Sequence, residues 1–420
     1  MIHDPGPSSE CPAPSRRRYR SCVKRPRPEE SVDVLHIVPA YYPSRGGIEV
    51  LLEGLAEALY DGFGLASAIA APALPGQSPG VGEHRGVSVY RITSAPETVI
   101  ASEVVETRRA QPLEAFAVLQ DVYASVRRIL QDLSPRVVHV HGTSLMAPAA
   151  SAVATSVRIP VLFHVHGNIN DDTESPRLRD RLREAPWVCA VSDAVADSIV
   201  RDCGRRAPVR IVRNGVVDPL PLTRPTRQHS PSVAMVGRLS PEKGFDDGLR
   251  ALRNVWSRLP DLKIRIVGAG PEEDSLHSLV LALGMTEVVE YFGQLSHADT
   301  LRVIAGSDVV LVPSTRIEGF SLVAVEAAFL QRPVVATSVG GLPETVRDGV
   351  TGILVGPGDL PAMADAVLRL LTQPVLGHDL GLAAREGALR EFTLERCASD
   401  VAHLYSDIWT SSGPAHVCEE

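Results

Sequence analysis

Pro313-Ser-Thr-Arg-Ile-Glu-Gly-Phe-Ser-Leu-Val-Ala-Val-Glu326 is the stretch around which the chain is organised. The apolar run Asp308–Val312 before it predicts a buried parallel strand. Phe320–Leu330 after it predicts a helix. Between them stand Glu318, Gly319 and Ser321. A glycine there lets the backbone approach a ligand. The N–H groups of Phe320, Ser321 and Leu322 at the opening of a helix form an anion site. Glu318 and Glu326 are eight residues apart, roughly 12 Å along a helix axis. One carboxylate at each end and main-chain N–H groups between them suit a nucleotide-sugar, from a sugar hydroxyl across the diphosphate to the ribose.

Composition bounds the rest. The chain has 420 residues, 44% hydrophobic and 5% aromatic, with a net charge of −8. That length suits two domains, and the charge argues against nucleic acid as a partner. Lys24, Lys243 and Lys263 are the only lysines, an arginine-rich usage expected of a GC-rich bacterial genome. A merely solvated position would carry arginine here, so Lys243 is informative. Cys11, Cys22, Cys189, Cys203, Cys397 and Cys418 form no Cys-x-x-Cys. A reduced, cytoplasmic protein without disulfides or zinc is expected. No apolar run reaches the ~18–20 residues of a membrane span, and the N-terminus lacks the apolar core of a signal peptide.

Residues 1–30, rich in Pro, Ser and Arg, read as a disordered tail. Arg16, Arg17, Arg18 and Arg20 there allow at most peripheral membrane contact. Residues 31–218 read as a first α/β domain. A strand at Val34–Pro39 is followed by Gly46-Gly47-Ile48-Glu49 and a helix, a phosphate-type cradle. Val138 and Val140 alternate with His139 and His141, which places both histidines on one strand face. His164 and His166 repeat the pattern one unit later. No carboxylate or cysteine with ligand spacing accompanies them, so no metal site is expected. Trp187–Ser192 and Val209–Val212 are further strands, and Ser192 or Asp193 caps the helix between them.

Residues 219–231, rich in Pro, Thr and Arg, read as a linker. A second β-α series follows over 232–385. Gly237-Arg-Leu-Ser-Pro-Glu-Lys-Gly244 places Arg238 and Lys243 in a strand-to-helix loop. A guanidinium grips two oxygens and an ammonium adds a point charge, which suits a departing diphosphate. Gly268 ends another strand. Residues 386–410, with Phe392, Leu404, Tyr405 and Trp409, read as an amphipathic final helix before a tail at 411–420.

These motifs resemble the retaining glycosyltransferases of family 4, which have the GT-B fold. The resemblance rests on Glu318 and Glu326 within Glu-Gly-Phe-Ser-Leu-Val-Ala-Val-Glu, on Arg238-Leu-x-x-x-Lys243-Gly, and on Gly46-Gly47, and it covers about Val34–Trp409. It implies two Rossmann-like domains, acceptor on the first and donor on the second, with a last helix crossing back. It further implies Arg238 and Lys243 on the leaving diphosphate, His166 beside the reacting carbon, and Glu318 on sugar hydroxyls. Gly46, Gly47, Gly268, Gly319, Phe320, Ser321 and Leu322 would line the donor, and Glu326 the ribose. Ser321 stands where the family often has glycine. No Asp-x-Asp occurs, so a metal-independent reaction is expected, with a nucleotide-sugar as co-substrate and no other cofactor. A UDP-hexose donor of glucose or N-acetylglucosamine type is expected. The acceptor is a small polyol, aminocyclitol or natural product, as in antibiotic biosynthesis; a lipid-linked or cell-envelope glycan is the alternative. A sugar-nucleotide epimerase and a silent nucleotide-binding protein are the other classes.

Overall fold

The computed structural model describes residues 31–42, 46–74, 77–92, 112–142, 146–167, 169, 176–220, 230–316 and 318–411. The expected tails and most of the expected linker lie outside the described residues.

Near-continuous apolar runs build the strands, because parallel sheets are covered on both faces. The first sheet contains β1 Val34–Ile37, β2 Ser67–Pro72, β3 Gly80–His84, β4 Val87–Ile92, β5 Val137–His141, β6 Val161–Val165, β7 Trp187–Ala190 and β8 Arg210–Ile211. Its order is β3-β4-β2-β1-β5-β6-β7-β8. Only β3 runs antiparallel to its neighbour. That edge strand was not anticipated: Gly80-Val-Gly-Glu-His84 is mostly exposed and carries no apolar run. The second sheet contains β9 Ser232–Val236, β10 Lys263–Val267, β11 Val289–Tyr291, β12 Val309–Val312, β13 Val334–Thr337 and β14 Gly352–Val355. All its pairings are parallel, in the order β11-β10-β9-β12-β13-β14.

In both sheets the order reverses beside the first strand of the set. Loops leaving the carboxyl ends of neighbouring strands diverge there and leave a crevice. In the first sheet this point lies between β1 and β5, and in the second between β9 and β12.

Two apolar clusters tie the halves together. Phe320, Val325, Phe329 and Phe392 share a buried cluster with Val165, Val191 and Val195 of the first half. The final helix supplies the second. It starts later than expected: residues 386–391 finish the helix Pro374–Glu391, and Leu394–Ser411 is separate. The break falls where Phe392 carbonyl accepts from Val216 N–H at 2.9 Å and Leu394 N–H donates back to Val216 carbonyl at 3.2 Å. Beyond it, Leu394, Cys397, Val401 and Tyr405 are buried with Val34, Leu51 and Leu55. Cys189, Cys203 and Cys397 are buried. Among the described residues, no helix is long and apolar enough to cross a membrane.

Candidate active site

The loop after β9 ends in a short 3-10 turn, Pro241–Lys243, closed by Gly244 at φ +63°. That backbone favours glycine, and space demands it too: a Cβ there would lie 2.2 Å from the Pro313 carbonyl oxygen. The turn thus sits directly on the loop after β12. Lys243 Nζ donates to Glu318 Oε2 at 2.7 Å, and Ser314 Oγ donates to the same oxygen at 2.9 Å. Glu318 is buried. Sequence reasoning gave Lys243 and Glu318 separate partners; the structure joins them as an ion pair. Arg238, in the same loop as Lys243, is exposed and has no ion-pair partner among the described residues.

Gly319 is one point of close contact between the halves. A Cβ on it would lie 2.1 Å from the His166 carbonyl oxygen and 2.9 Å from the Gly167 Cα. Its own carbonyl accepts from Ser192 Oγ at 2.7 Å. Gly341 N–H donates to the Glu318 carbonyl at 2.7 Å. Glu344 reaches across to the first half: its carboxylate accepts from the N–H groups of Asp193 and Ala194, both at 3.0 Å, and pairs with Arg213 at 3.1 Å. These two N–H groups open the helix Asp193–Cys203, where a carboxylate is favoured. Ser192 caps the same helix by accepting from Val195 N–H at 3.2 Å. Ser192, Ser314, Gly341 and Glu344 were not anticipated as cleft residues. The sequence signal was present, in a strand-end Val-Ser-Asp and a strand-end Gly-Gly-Leu-Pro-Glu.

The helix after the Glu318 turn spans Leu322–Phe329, with Ser321 as N-cap accepting from Ala324 N–H at 3.3 Å. It is shorter than expected, so the 12 Å helical estimate between the glutamates does not apply. Ser321 spends its hydroxyl on the cap. Phe320 turns its ring into the core, edge-on to Phe392 at 5.5 Å between centroids. Leu322 meets Gly47 across the cleft, where a Cβ on that glycine would come within 2.9 Å of Leu322 Cδ1. Gly46 adjoins Glu49, whose carboxyl is pushed up by burial and lowered in turn by the main-chain N–H groups of Glu49 and Gly46. Glu326 Oε1 is held by His297 Nε2 at 2.7 Å, a partner sequence reasoning missed. Gly268 packs on backbone: its Cβ would lie 1.8 Å from the Gly237 carbonyl oxygen. Gly268 therefore supports the loop carrying Arg238.

Buried histidines lie behind His166 in the first half. His141 Nδ1 faces His166 Nε2 at 3.1 Å, and His36 Nδ1 faces His141 Nε2 at 3.0 Å. His139 Nδ1 meets the Tyr405 hydroxyl at 2.6 Å, and His164 Nε2 donates to the Val212 carbonyl at 3.3 Å. His139 and His164 thus bond away from His166, although the His164 ring packs on it at 4.3 Å between centroids, whereas His141 is hydrogen-bonded to it. Burial, then the neighbouring His164, pushes His36 down to about 3. Burial holds His139, His141 and His166 well below their usual value and lowers His164 to about 4. Neutral rings in this number could hold a metal, and trios such as His141, His164 and His166 have ligand atoms within 4.8 Å. However, the nitrogens joining His36, His141 and His166 already face one another as hydrogen-bond partners.

The structure therefore gathers Gly47, His166, Lys243, Glu318, Gly319, Ser321 and Leu322 around one cleft at the carboxyl ends of two parallel sheets. Residues 45–218 match a family model described as Glycosyltransferase Family 4, and residues 224–387 match one described as Glycosyl transferases group 1. The phosphatidyl-myo-inositol mannosyltransferase of Mycobacterium leprae is 30% identical over 79% of this chain and 91% of its own length. A D-inositol 3-phosphate glycosyltransferase of Corynebacterium aurimucosum is 36% identical over 43% of this chain and 44% of its own. Among solved structures, Anabaena HepE in complex with UDP-glucose superposes with a TM-score of 0.71 at 20% identity, covering 89% of this chain and 99% of that one.

Proposed function

Because the chain belongs to the family 4 glycosyltransferases and has their GT-B fold, we propose that it is a retaining hexosyltransferase, independent of metal. The donor is a UDP-sugar of glucose or N-acetylglucosamine type, and the acceptor is a hydroxyl of a small polyol, aminocyclitol or other natural product. The observation that carries this reading is the Lys243–Glu318 pair, 2.7 Å long, beside a glycine that touches the His166 backbone.

Transfer breaks the bond between the anomeric carbon and the diphosphate oxygen. Fixed positive groups lower the barrier by meeting the charge that grows on that oxygen. Arg238 and Lys243 supply full charges, and the N–H groups of Gly319, Phe320 and Ser321 supply dipoles. An ammonium has three donors, so Lys243 can keep Glu318 and still reach a phosphate oxygen. Glu318 accepts from sugar hydroxyls, and Glu326 from the ribose. The acceptor oxygen attacks the face from which the diphosphate leaves, and its proton passes to the departing phosphate oxygen. No Asp-x-Asp is present to hold a metal on the diphosphate. The UDP-glucose of the HepE structure and the inositol acceptor in the Corynebacterium relative's name support the donor and acceptor classes.

A second reading is transfer of a mannosyl group to a phosphatidylinositol-type lipid, favoured by the name of the M. leprae relative. A thermal-shift panel of UDP- and GDP-sugars, followed by acceptor screening with the best donor, separates the readings. Stabilisation by a UDP-hexose, with nucleotide released only when acceptor is present, is expected. Epimerase activity without acceptor, or binding without turnover, would replace the transferase reading. An inverted product anomer by NMR would remove the retaining mechanism. Vesicle co-sedimentation with and without residues 1–30 tests the lipid acceptor.

A further inference from the structure

Three imidazoles form a single hydrogen-bonded row leading away from the cleft. His166 Nε2 meets His141 Nδ1 at 3.1 Å, His141 Nε2 meets His36 Nδ1 at 3.0 Å, and His36 Nε2 meets Ser67 Oγ at 3.3 Å. The outermost atom, His166 Nδ1, is buried and without a partner among the described residues. It belongs to the residue whose carbonyl lies against Gly319. All three rings are held neutral by burial first, and the neighbouring His164 adds to it in each.

A neutral imidazole has one N–H and one lone pair. Each contact in the row needs one of each, so the tautomers are coupled. If His36 carries its proton on Nδ1, so must His141 and His166. The reverse row has all three protons on Nε2. In the first case an N–H is left over at His166 Nδ1, in the second a bare lone pair. His164 gives an internal contrast. Its Nε2 faces a carbonyl, which only accepts, so its proton sits on Nε2 whatever the row does.

We propose that His36 and His141 are positioning residues that set the tautomer of His166, so that its Nδ1–H is presented to a substrate oxygen in the donor-loaded protein. This rests on the nucleotide-sugar reading of the cleft. Phosphate oxygens only accept, and sugar hydroxyl oxygens accept readily, so an N–H satisfies either. A bare lone pair would be left unmatched against phosphate. His36 lies in mid-strand, two rings from the cleft, and its effect on turnover passes through His141.

The test is a long-range proton–nitrogen correlation spectrum of the full chain labelled at histidine, free and with UDP-glucose. His36, His141 and His166 are expected to share one tautomer in each state, Nδ1–H with UDP-glucose bound, while His164 stays Nε2–H. His36→Leu should mix the His166 tautomers and lower kcat/KM about ten-fold, the worth of one oriented hydrogen bond. His36→Asn, which can place an amide N–H near the Nδ1 position, should restore the single tautomer and most of the rate. Unlike tautomers within the wild-type row would overturn the proposal, even if neither variant folds. So would a His36→Leu protein with an unaltered His166 tautomer and rate, or an Nε2–H His166 in the UDP-glucose complex. If the protein transfers no sugar, the function reading fails, and the free-protein spectrum still decides the row.

Discussion

Gly319→Ala probes the closest approach between the two halves. The added methyl would lie 2.1 Å from the His166 carbonyl oxygen and 2.9 Å from the Gly167 Cα. Both obstacles are main chain, so no side-chain rotation clears them. Close-packed interiors have no slack to absorb the clash, and the halves must part by about 1 Å here. The same movement stretches the 2.7 Å bond from Ser192 Oγ to the Gly319 carbonyl beyond useful range. A misplacement of that size costs on the order of 10²-fold in rate, so kcat/KM should fall by about that factor. The lost hydrogen bond is worth about 1 kcal/mol and the overpacking costs about 1–3 kcal/mol more, so Tm should fall measurably while the protein still folds. Nucleotide release in the presence of acceptor gives the rate, and thermal melting gives the stability. Gly62→Ala is the control: a Cβ there meets nothing within 4 Å, and alanine suits a helix better than glycine. It should turn over normally. A Gly319→Ala enzyme with the wild-type kcat/KM would refute the reasoning, because the competent cleft would then not need this contact.

Other perturbations reach different parts of the site. Lys243→Ala removes a cation from the diphosphate and the partner of Glu318, and should lower kcat by roughly 10²–10³-fold with the far-UV spectrum intact; unchanged turnover would show that the leaving-group assignment is wrong. Acid should destabilise the protein through its buried histidines. His36 and His164 titrate near 3 and 4 when folded and near 6.5 when unfolded. Unfolded chains therefore bind protons first, and stability is lost as pH falls from 6.5 toward 4, by about 2 kcal/mol per histidine at pH 5. Melting curves across that range test this, and a Tm flat down to pH 5 would contradict it. Glu344→Ala uncaps the helix Asp193–Cys203 from the opposite half and should cost about 1 kcal/mol, read by denaturant melts; no loss would mean that solvent satisfies the Asp193 and Ala194 N–H groups equally well.

Much of the fold was legible because parallel strands are buried on both faces and several end in a glycine-bearing loop. Val309-Val-Leu-Val312 and Ser232–Val236 stand out on that ground alone. The edge strand Gly80–His84 did not, because its exposed residues have no apolar pattern. The break at Phe392–Thr393 was hidden for another reason. It coincides with pairing to Val216, far away in sequence, and the local mark is slight: Thr393 Oγ1 caps the next helix by accepting from Arg396 N–H at 3.3 Å. In the candidate site, charge and spacing pointed to Lys243 and Glu318, which the structure brings into contact. The direct Lys243–Glu318 bond depends on how the Gly244 turn rests on Pro313, a tertiary fact. His36 was missed because one polar residue within Val-Leu-His-Ile reads as an isolated exception until β1 and β5 are aligned side by side.

The helix Leu394–Ser411 completes the core of the first sheet although it comes from the far end of the chain. Tyr405 bonds to His139, and Trp409 Nε1 donates to the Arg136 carbonyl at 3.3 Å. During translation, then, the earliest-made sheet waits with an uncovered apolar flank until the ribosome has finished the second one. A nascent chain halted before Leu394 exposes Val34, Leu51 and Leu55 to chaperones and proteases, so prematurely ended products are marked for disposal by the surface they fail to hide.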